Sequence, residues 1–425
     1  MKRVLLIAPR AFAPWPGGGG SRTAAACKYL PGEGWQVVLL AADFGGDVPG
    51  WAKNTTCINP PWPRLWHRSV RARAWSAAAP VARPGAFSTN LRLLAERALN
   101  VVLFPDEMAT WVRGAVAHAR REFASDHPDA VLSMAPRFSA HVVGERLART
   151  WGVPWVADFQ DPFLGNVFIN WPTPLHRALA ARLERTWASR AAALITTTES
   201  LRGELLGRYP CLEGKVEVVP NGYDEVEPEP VALERDGFHV VHCGQFYGGR
   251  VPDYFLRAVA DLRERRPDLR KRLQVHFVGP VSDRLQDAAH GLRLGEAVHI
   301  EGVVPYARSI GWMRAADLLL LIKHTSPAAG TQVPTKLYEY LGAGKPVLAL
   351  AHEGEMAEIL RRARGGVVVP PADVELISKT LEMFANGHRF HESGPDDSFV
   401  RQFALPVLMG QMARVLDSAC GASGR

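Results

Sequence analysis

The 425-residue sequence lacks the long hydrophobic run of an integral membrane protein. No apolar stretch approaches the roughly 20 residues that a helix needs to cross a bilayer. The N-terminal segment MKRVLLIAP has basic residues before apolar ones, but its apolar run is too short for a signal peptide and leads directly into a glycine-rich turn. We therefore expect this segment to be a first β-strand, and we expect a cytoplasmic protein.

Cysteine is also scarce, which excludes a disulfide scaffold and a cysteine-bound metal. The chain has 5 cysteines, an odd number, and no two of them stand at the spacing of metal ligands. This usage fits a reducing compartment. The chain likewise lacks a convincing D-x-D metal site, and its glycine-rich segments lack the spacing of G-x-G-x-x-G and of a Walker A loop.

What the chain does contain is a regular alternation of short β-branched or Leu-rich runs with longer amphipathic stretches. This alternation predicts parallel sheets covered by helices, so the fold class is α/β. The length suits two domains of roughly 200 residues each. In the first half, the predicted strands are Arg3 to Ala8, Gln36 to Ala41, Ala130 to Met134, Pro154 to Asp158, Ala193 to Thr197 and Val216 to Val219. In the second half, they are His239 to Cys243, Gln274 to Val278, Val298 to Ile300, Asp317 to Ile322, Val347 to Leu350 and Gly366 to Val369.

The boundary between the two predicted domains follows from a change in composition. The turn-forming run VPNGYD ends at Asp224, and the segment after it, EVEPEPVALERDG, is acidic, contains proline and has no apolar periodicity. We therefore predict an N-terminal domain over residues 1–222 and a C-terminal domain over residues 223–398. The remainder, residues 399–425, is predicted to form a helix, Phe399 to Ala419, that packs back on the N-terminal domain.

The charge of the chain is concentrated in residues 51–100. That segment has eight basic residues against Glu96 alone, which accounts for the formal net charge of +7. Tryptophans such as Trp62 and Trp66 are interleaved with the cations, a mixture that suits the headgroup zone of an anionic membrane. A solvated loop and helix face is the alternative. The charge alone would also fit nucleic acid, but nothing resembles a recognition helix or an RNA-binding signature.

The segment from Gln332 to Leu350, QVPTKLYEYLGAGKPVLAL, predicts a phosphate-facing loop, a short helix and a buried strand in succession. Pro334 suits the first turn of a helix, and the amides around Thr335 and Lys336 would then lie at the positive end of the helix dipole, which attracts a diphosphate. Glu339, one turn further on, would accept hydrogen bonds from sugar hydroxyls. The alternative is an ordinary helix-to-strand unit in which Glu339 pairs with Lys336.

These motifs together give the chain a family resemblance. APRAFAPWPGGGGSR follows the first strand, SMAPRFSAHVVG and VPWVADFQDPF follow later ones, and VVHCGQFYGGR and KLYEYLGAGKPV occur in the second half. In this order, the chain resembles nearly end to end the GT-B nucleotide-sugar glycosyltransferases, specifically glycosyltransferase family 4. The resemblance implies two Rossmann-like domains that face each other across a cleft, an N-terminal one on the acceptor side and a C-terminal one that binds the nucleotide sugar.

The resemblance also implies a set of donor-binding residues. Glu339 would bind the ribose of the nucleotide. Near the diphosphate, the resemblance and the helix dipole together place Gly18, Gly19, Gly20, Gly244, Arg250, Thr335 and Lys336. We also expect Ser21 to cap the helix that follows the glycine-rich loop. Two positions depart from the family pattern, because Gln245 replaces a common arginine and Thr331 replaces the first of two paired glutamates. Lys336 or Lys323 is the candidate for the missing cation.

For the chemistry, Asp158 and Asp161 follow a buried strand of the first domain, where open α/β sheets bind ligands. We select Asp161 as the catalytic candidate, with Arg137 and His141 at the border of the same cleft. Similar enzymes often have His-Asp after this strand, whereas this chain has Gln160. The alternatives are a helix N-cap for Asp161 and a packing role for His141.

The resemblance implies transfer of a hexosyl group from a UDP- or GDP-linked sugar, with retention of configuration and no required metal or cofactor. The acceptor would be a hydroxyl of a glycan, a glycolipid or a polyprenyl-linked sugar, and the enzyme would lie peripherally at the inner face of the plasma membrane through residues 51–100. Two other functions stay open: a non-catalytic nucleotide-sugar-binding scaffold and a GT-B fold UDP-sugar epimerase.

Overall fold

The structure is a computed structural model that divides into two compact units. Unit 1 runs to Pro220 and includes the C-terminal segment from Leu405, and unit 2 runs from Asn221 to Ala404. The residues that the structure describes are 1–11, 19–43, 50–52, 55–58, 103–166, 169, 171–246, 252–323, 332–388 and 395–422. Within this part of the chain, no helix has both the length and the apolar character needed to traverse a bilayer.

Unit 1 is built on a parallel seven-stranded sheet in the order β3-β2-β1-β4-β5-β6-β7. Its strands are β1 (Lys2–Ile7), β2 (Trp35–Leu40), β3 (Thr56–Ile58), β4 (Ala130–Met134), β5 (Trp155–Phe159), β6 (Ala193–Thr196) and β7 (Val216–Val218). Its helices before the linker are α1 (Gly19–Tyr29), α2 (Val112–Glu122), α3 (Ser139–Trp151), α4 (Pro174–Arg190) and α5 (Glu199–Arg208). The strands are apolar on both faces because helices cover the sheet on both sides.

Unit 2 repeats this architecture with a parallel six-stranded sheet in the order β10-β9-β8-β11-β12-β13. Its strands are β8 (Phe238–Cys243), β9 (Leu273–Val278), β10 (Val298–Gly302), β11 (Leu318–Ile322), β12 (Val347–Leu350) and β13 (Gly366–Val369). Its helices are α6 (Asp253–Arg265), α7 (Asp283–Gly291), α8 (Tyr306–Ala315), α9 (Thr335–Gly342), α10 (Glu355–Arg362), α11 (Val374–Ala385) and α12 (Asp397–Arg401).

The last helix, α13 (Leu405–Ala422), belongs to unit 1 although it follows unit 2 in the chain. Its buried residues Leu408, Met409 and Leu416 share a core with strand residues such as Leu6 and Leu39. The chain leaves unit 2 beside the place where it entered, since Tyr223 forms a parallel bridge with Ala404. Unit 1 therefore contains segments that are distant in sequence.

Every strand predicted from the sequence is present within two residues of its predicted ends. The sequence reasoning missed β3, a three-residue strand at the edge of the sheet. The single helix predicted from Phe399 to Ala419 is wrong, because the helical structure ends at Arg401 and resumes at Leu405.

Both sheets reverse their strand order at a central strand, and this feature positions the candidate site. In unit 1 the neighbours of β1 are β2 and β4, and in unit 2 the neighbours of β8 are β9 and β11. Connections that leave β1 and β4, or β8 and β11, therefore diverge and leave a crevice at the carboxyl ends of the strands. Ligands of open α/β sheets bind at such switch points.

Candidate active site

In unit 2, Lys336 lies at the switch point. Pro334 has an extended backbone and precedes the first helical residue, Thr335, so it flanks the helix instead of forming its first turn. Lys336, in the first turn of α9, places its Nζ 3.1 Å from His242 Nε2 and 3.5 Å from the carbonyl oxygen of Gln245. The cation therefore lies at the end of β8, beside Gln245, where the family resemblance expects an arginine.

Gly244 makes this arrangement of Lys336 possible. Its φ of +109° is unfavourable for residues with a side chain. A Cβ at this position would also lie 2.5 Å from Lys336 Cε, too close for a real contact. The glycine is thus needed both for the turn after β8 and for the passage of the lysine side chain across it.

Glu339 lies one turn after Lys336 and accepts a hydrogen bond from the Tyr306 hydroxyl, with 3.2 Å between Oη and Oε1. Burial raises the pKa of the Glu339 carboxyl, while the hydrogen bond from Tyr306 and the charge of Lys336 oppose that rise. Lys336 and Glu339 thus contact different partners, His242 and Tyr306, instead of forming the simple side-chain pair of the alternative. The Tyr306 side chain remains 45% exposed, so it borders the carboxylate from the solvent side.

Two further contacts fix α9 relative to the sheet. The Tyr340 hydroxyl accepts a hydrogen bond from the backbone N–H of Cys243 at 2.9 Å and donates to the carbonyl oxygen of Leu320 at 3.3 Å. The buried Lys323 donates to the carbonyl oxygen of Gln332 at 2.5 Å, just before the helix. Because these contacts hold the first turns of α9 against β8 and β11, Lys336 and Glu339 are held at the switch point.

In unit 1, an arginine pair lies at the corresponding switch point. Arg10 follows β1 and Arg137 follows β4, and both guanidinium groups donate to Glu107 Oε1, Arg10 from Nη1 at 3.2 Å and Arg137 from Nε. Burial lowers the pKa of Arg10. Next to Glu107, the Asp106 carboxylate accepts from the backbone N–H and the hydroxyl of Ser139, which links this cluster to the start of α3.

Asp161 follows β5, so it extends from the same edge of the unit 1 sheet as Arg137. The side chain is half-buried, and desolvation raises its pKa to about 6. The alternative of a helix N-cap does not hold, because the residues from Asp161 to Asn166 form bends and turns and α4 begins only at Pro174. A carboxyl whose pKa is raised at a ligand-binding edge is a functional candidate.

His141 lies away from any ligand-accessible surface, which corrects the expectation that it borders a cleft. The side chain is 0% exposed, and its Nδ1 lies 2.8 Å from the Ser133 hydroxyl. Aromatic rings surround it, with Phe159 stacked at 4.6 Å and Trp187 in edge contact at 5.3 Å. Burial lowers its pKa to about 3, so the ring is neutral at physiological pH.

Asp158 forms a buried ion pair that the sequence reasoning missed. Arg22 Nε lies 2.7 Å from Asp158 Oδ2, and both side chains are at most 2% exposed. The guanidinium also donates to the carbonyl oxygens of Val219 and Pro220, at the end of unit 1. Asp158 therefore joins α1 and β5 to the segment that leads out of the unit, and Asp161 remains the candidate for chemistry.

Several predicted site residues lie outside the described residues. They are Gly18, Arg250 and Thr331. Gly19 and Gly20 form the start of α1, so this helix begins before Ser21 and not at a Ser21 cap. The basic, Trp-rich segment 51–100 is described only at residues 51–52 and 55–58.

The sequence reasoning also missed residues whose role depends on tertiary contacts. His242, Tyr306, Arg10 and Glu107 each contact a predicted site residue or its partner. Arg10 could have been found from the sequence, because it follows the end of β1 by three residues and ligands bind at the ends of such strands. The other three had no comparable signal, because their partners are at least 30 residues away in sequence.

With the geometry established, comparison with known proteins gives the family. Residues 17–222 match the model described as "Glycosyl transferase 4-like domain", and residues 237–386 match "Glycosyl transferases group 1". A D-inositol 3-phosphate glycosyltransferase of Streptomyces scabiei is 30% identical over 272 residues, which are 58% of each chain. The chain thus spans less than two thirds of the length of the curated relatives it matches.

Solved structures show the same fold. A UDP-forming trehalose-phosphate synthase from Burkholderia xenovorans superposes with a TM-score of 0.64 at 13% identity, covering 98% of this chain and 99% of that one. A sucrose-phosphate synthase from Thermosynechococcus elongatus gives a TM-score of 0.63 at 15% identity, covering 100% and 98%. The predicted α/β class and GT-B fold are therefore confirmed.

Proposed function

Because this chain belongs to the GT-B glycosyltransferases of the family 4 type, we propose that it transfers a hexosyl group from a nucleoside-diphosphate sugar to an acceptor hydroxyl. The observation that carries this proposal is the cluster at α9, where Lys336 and Glu339 are held at the switch point of unit 2. A cation beside a helix N-terminus suits a diphosphate, and a carboxylate one turn away suits the ribose hydroxyls.

In this proposal, Lys336, the backbone amide of Thr335 and the helix dipole stabilise the departing nucleoside diphosphate, and Gly244 leaves room for the Lys336 side chain beside it. By the family resemblance, Gly18, Gly19, Gly20 and Arg250 would also serve the donor diphosphate. Neutralisation by these groups supports a reaction that requires no metal or other cofactor. Retention of configuration rests on the family resemblance alone, and so does the choice of a UDP- or GDP-linked donor.

Unit 1 supplies the acceptor side in this proposal. Asp161 would orient the acceptor hydroxyl or stabilise positive charge on the sugar ring, with Arg137 held nearby by Glu107. The relative from Streptomyces scabiei is named for a phosphorylated acceptor, D-inositol 3-phosphate. A phosphorylated polyol therefore belongs among the acceptors to be tested, beside glycans, glycolipids and polyprenyl-linked sugars.

We also propose that the enzyme binds the anionic inner face of the plasma membrane. The basic, Trp-rich composition of residues 51–100 supports this placement. Helix α4 offers independent support, because Leu175 is 66% and Leu179 is 39% exposed next to the exposed Arg182 and Arg185. Exposed leucines flanked by arginines are typical of helices that lie in a membrane interface.

The donor site is tested by thermal unfolding with UDP-glucose, UDP-N-acetylglucosamine, GDP-mannose and their free nucleotides. A ligand at 100 times its Kd adds about 2.7 kcal/mol to the free energy of unfolding. We expect one nucleotide series to stabilise the wild type and to lose this effect in Lys336→Ala and Glu339→Gln. Lys379→Ala is the matched control, because that lysine is exposed on α11 and pairs with Glu375.

Assays of nucleotide release and of the sugar product, with and without an acceptor, then distinguish the three functions. Release of free nucleotide that depends on an added acceptor would support transfer. An altered sugar formed without an acceptor would indicate an epimerase, and binding without turnover in the presence of every acceptor would favour a scaffold. If no nucleotide sugar stabilises the folded protein, the donor-site assignment is wrong.

A further inference from the structure

We infer that His242 is a positioning residue that holds Lys336 at the donor diphosphate, and that it does so only in its neutral form. The inference rests on the proposed function and adds to it a residue with no direct role in the family resemblance. It also predicts which substitution at this position preserves donor affinity.

The hydrogen bonds of His242 define which ring nitrogen carries the proton. The residue lies near the end of β8 and is 1% exposed. Its Nδ1 is 2.8 Å from the carbonyl oxygen of Leu320 on β11, and a carbonyl oxygen can only accept. Nδ1 therefore donates, and in the neutral ring Nε2 has a lone pair. That lone pair faces Lys336 Nζ at 3.1 Å and accepts a hydrogen bond from the ammonium group.

The groups around His242 and Lys336 restrict where the lysine side chain can lie. The His242 ring stacks on Phe246 with 4.2 Å between centroids and an interplanar angle of 11°. Lys336 Nζ lies 6.0 Å from the centroid of the same Phe246 ring, and its stem passes over Gly244. His242 and Phe246 thus fix the ammonium beside Gln245, so that a lysine from α9 takes the place of the missing arginine.

The charged and titratable groups around His242 make a second proton on its ring unfavourable. Helix α9 contributes Lys336 itself, Glu339 and Tyr340, and β11 is followed by Lys323. On the strand of His242, burial raises the pKa of Cys243, which keeps that thiol neutral. From β9, the nearest aromatic group is the Phe277 ring, which carries no charge.

Protonation of Nε2 would turn this attraction into repulsion. An imidazolium presents an N–H where the neutral ring presents a lone pair, so two positive donors would face each other at 3.1 Å. Lys336 would have to leave its position beside the Gly244 turn. The pair is therefore compatible only with a neutral ring, the form that the burial of His242 and the adjacent ammonium favour.

The test is isothermal titration calorimetry at about pH 8, where an imidazole is neutral, with UDP-glucose, or with GDP-mannose if only that sugar nucleotide binds. The variants are His242→Gln, which keeps an acceptor oxygen near the position of Nε2, and His242→Leu, which removes it. His299→Gln is the matched control, since His299 lies on edge strand β10 and contacts Gln274.

We expect His299→Gln and His242→Gln to bind with nearly the affinity of the wild type, because neither removes the acceptor that faces Lys336. His242→Leu should bind roughly tenfold more weakly. In a Lys336→Ala background, His242→Leu should have no further effect, because the two substitutions remove the same interaction.

Wild-type affinity in His242→Leu would overturn the inference, and so would a full effect of His242→Leu in the Lys336→Ala background. If His242→Leu fails to fold, His242→Phe, which keeps an aromatic ring and removes the acceptor, takes its place in both comparisons. If the folded wild type binds no nucleotide sugar at pH 8, the proposed function fails instead, so the two failures are distinguishable.

Discussion

Asp161 shows a conflict between stability and function at the scale of a single residue. Desolvation raises the pKa of its carboxyl from 3.8 to about 6, so at neutral pH the folded protein holds a carboxylate that would be more stable in the unfolded chain. This loss of folding stability is absent at low pH, where the carboxyl is protonated in both the folded and the unfolded state. It grows as the pH rises past 4 and is complete above about pH 6. Residues that act on substrates are often kept at such a cost.

We predict that Asp161→Asn is more stable than the wild type at pH 8, by on the order of 2 kcal/mol, and loses most of this advantage at about pH 4. The same substitution should lower kcat/KM by about 10²-fold or more, because the asparagine cannot carry the charge. Urea unfolding at the two pH values and assays with the best donor and acceptor measure both effects.

The pH profile of the wild type completes this test. Activity that depends on the Asp161 carboxylate should fall as the pH drops through about 6. Asp158→Asn is a structural comparison, because it breaks the buried pair with Arg22 and should destabilise at pH 8 by about 3 kcal/mol or more. A stable Asp161→Asn enzyme with wild-type activity would exclude Asp161 from catalysis.

Single residues also show how far sequence reasoning reaches. Lys336 and Glu339 were identified because a helix start and a one-turn spacing are local properties. His141 was misplaced because its location after a strand does not reveal whether the ring points outward or into a cluster of Phe159 and Trp187. Whether a side chain is reached by solvent depends on what packs over it.

At the scale of elements, helix α4 (Pro174–Arg190) carries the clearest exposed apolar feature of unit 1. Thr173 caps the helix, and one face packs into the core through Ala180 and Trp187. The opposite face exposes Leu175 and Leu179 beside arginines. Arg182 and Arg185 have no carboxylate within ion-pair distance in the described part of the chain, so their charges are available to an external anion.

We predict that the protein sediments with vesicles that contain phosphatidylglycerol and not with neutral ones. The double variant Arg182→Gln and Arg185→Gln should weaken this binding roughly tenfold or more, since each basic residue near an anionic surface contributes about 1 kcal/mol. Leu175→Ser with Leu179→Ser should weaken it as well, because apolar insertion is lost. Binding of the wild type should decrease with added salt.

The control for the vesicle experiment is Arg284→Gln, which neutralises an exposed arginine of unit 2. If this variant and both α4 variants bind like the wild type, α4 is not the docking element. Residues 51–100 would then be the remaining candidate for membrane contact.

Elements were predicted well where their pattern is long and apolar. Strands such as β11, with the sequence LLLLI, are buried on both faces and therefore read as continuous hydrophobic runs. The three-residue β3 has no such run, and only its pairing with β2 makes it a strand. The break between α12 and α13 is equally hard to predict, because the chain passes there from one unit to the other.

At the scale of the whole molecule, α13 makes unit 1 depend on the end of the chain. Its buried residues Leu408, Met412 and Leu416 complete the core beside β1 and β2. We predict that Leu408→Ala costs about 2–5 kcal/mol of the stability of unit 1. Val407→Ala, its neighbour on the exposed face, should change stability by at most about 0.5 kcal/mol.

Binding of a nucleotide sugar should show which unfolding transition belongs to which unit. A ligand that binds unit 2 should raise the transition temperature of that unit, and Leu408→Ala should lower the other one. Differential scanning calorimetry with and without the bound sugar nucleotide measures both. If Leu408→Ala lowers only the transition that the ligand raises, the assignment of α13 to unit 1 is wrong.

The sequence by itself determined the two α/β halves, the order of their strands along the chain and the presence of the short helix that carries Lys336 and Glu339, because hydrophobic periodicity and local turn chemistry depend on neighbouring residues. Only the tertiary structure decided that Lys336 contacts His242, that Arg10 and Arg137 share Glu107, and that Arg22 closes on Asp158. These contacts join residues from different strands and helices. They arise where parallel strands end side by side, and no local pattern records which side chains meet there.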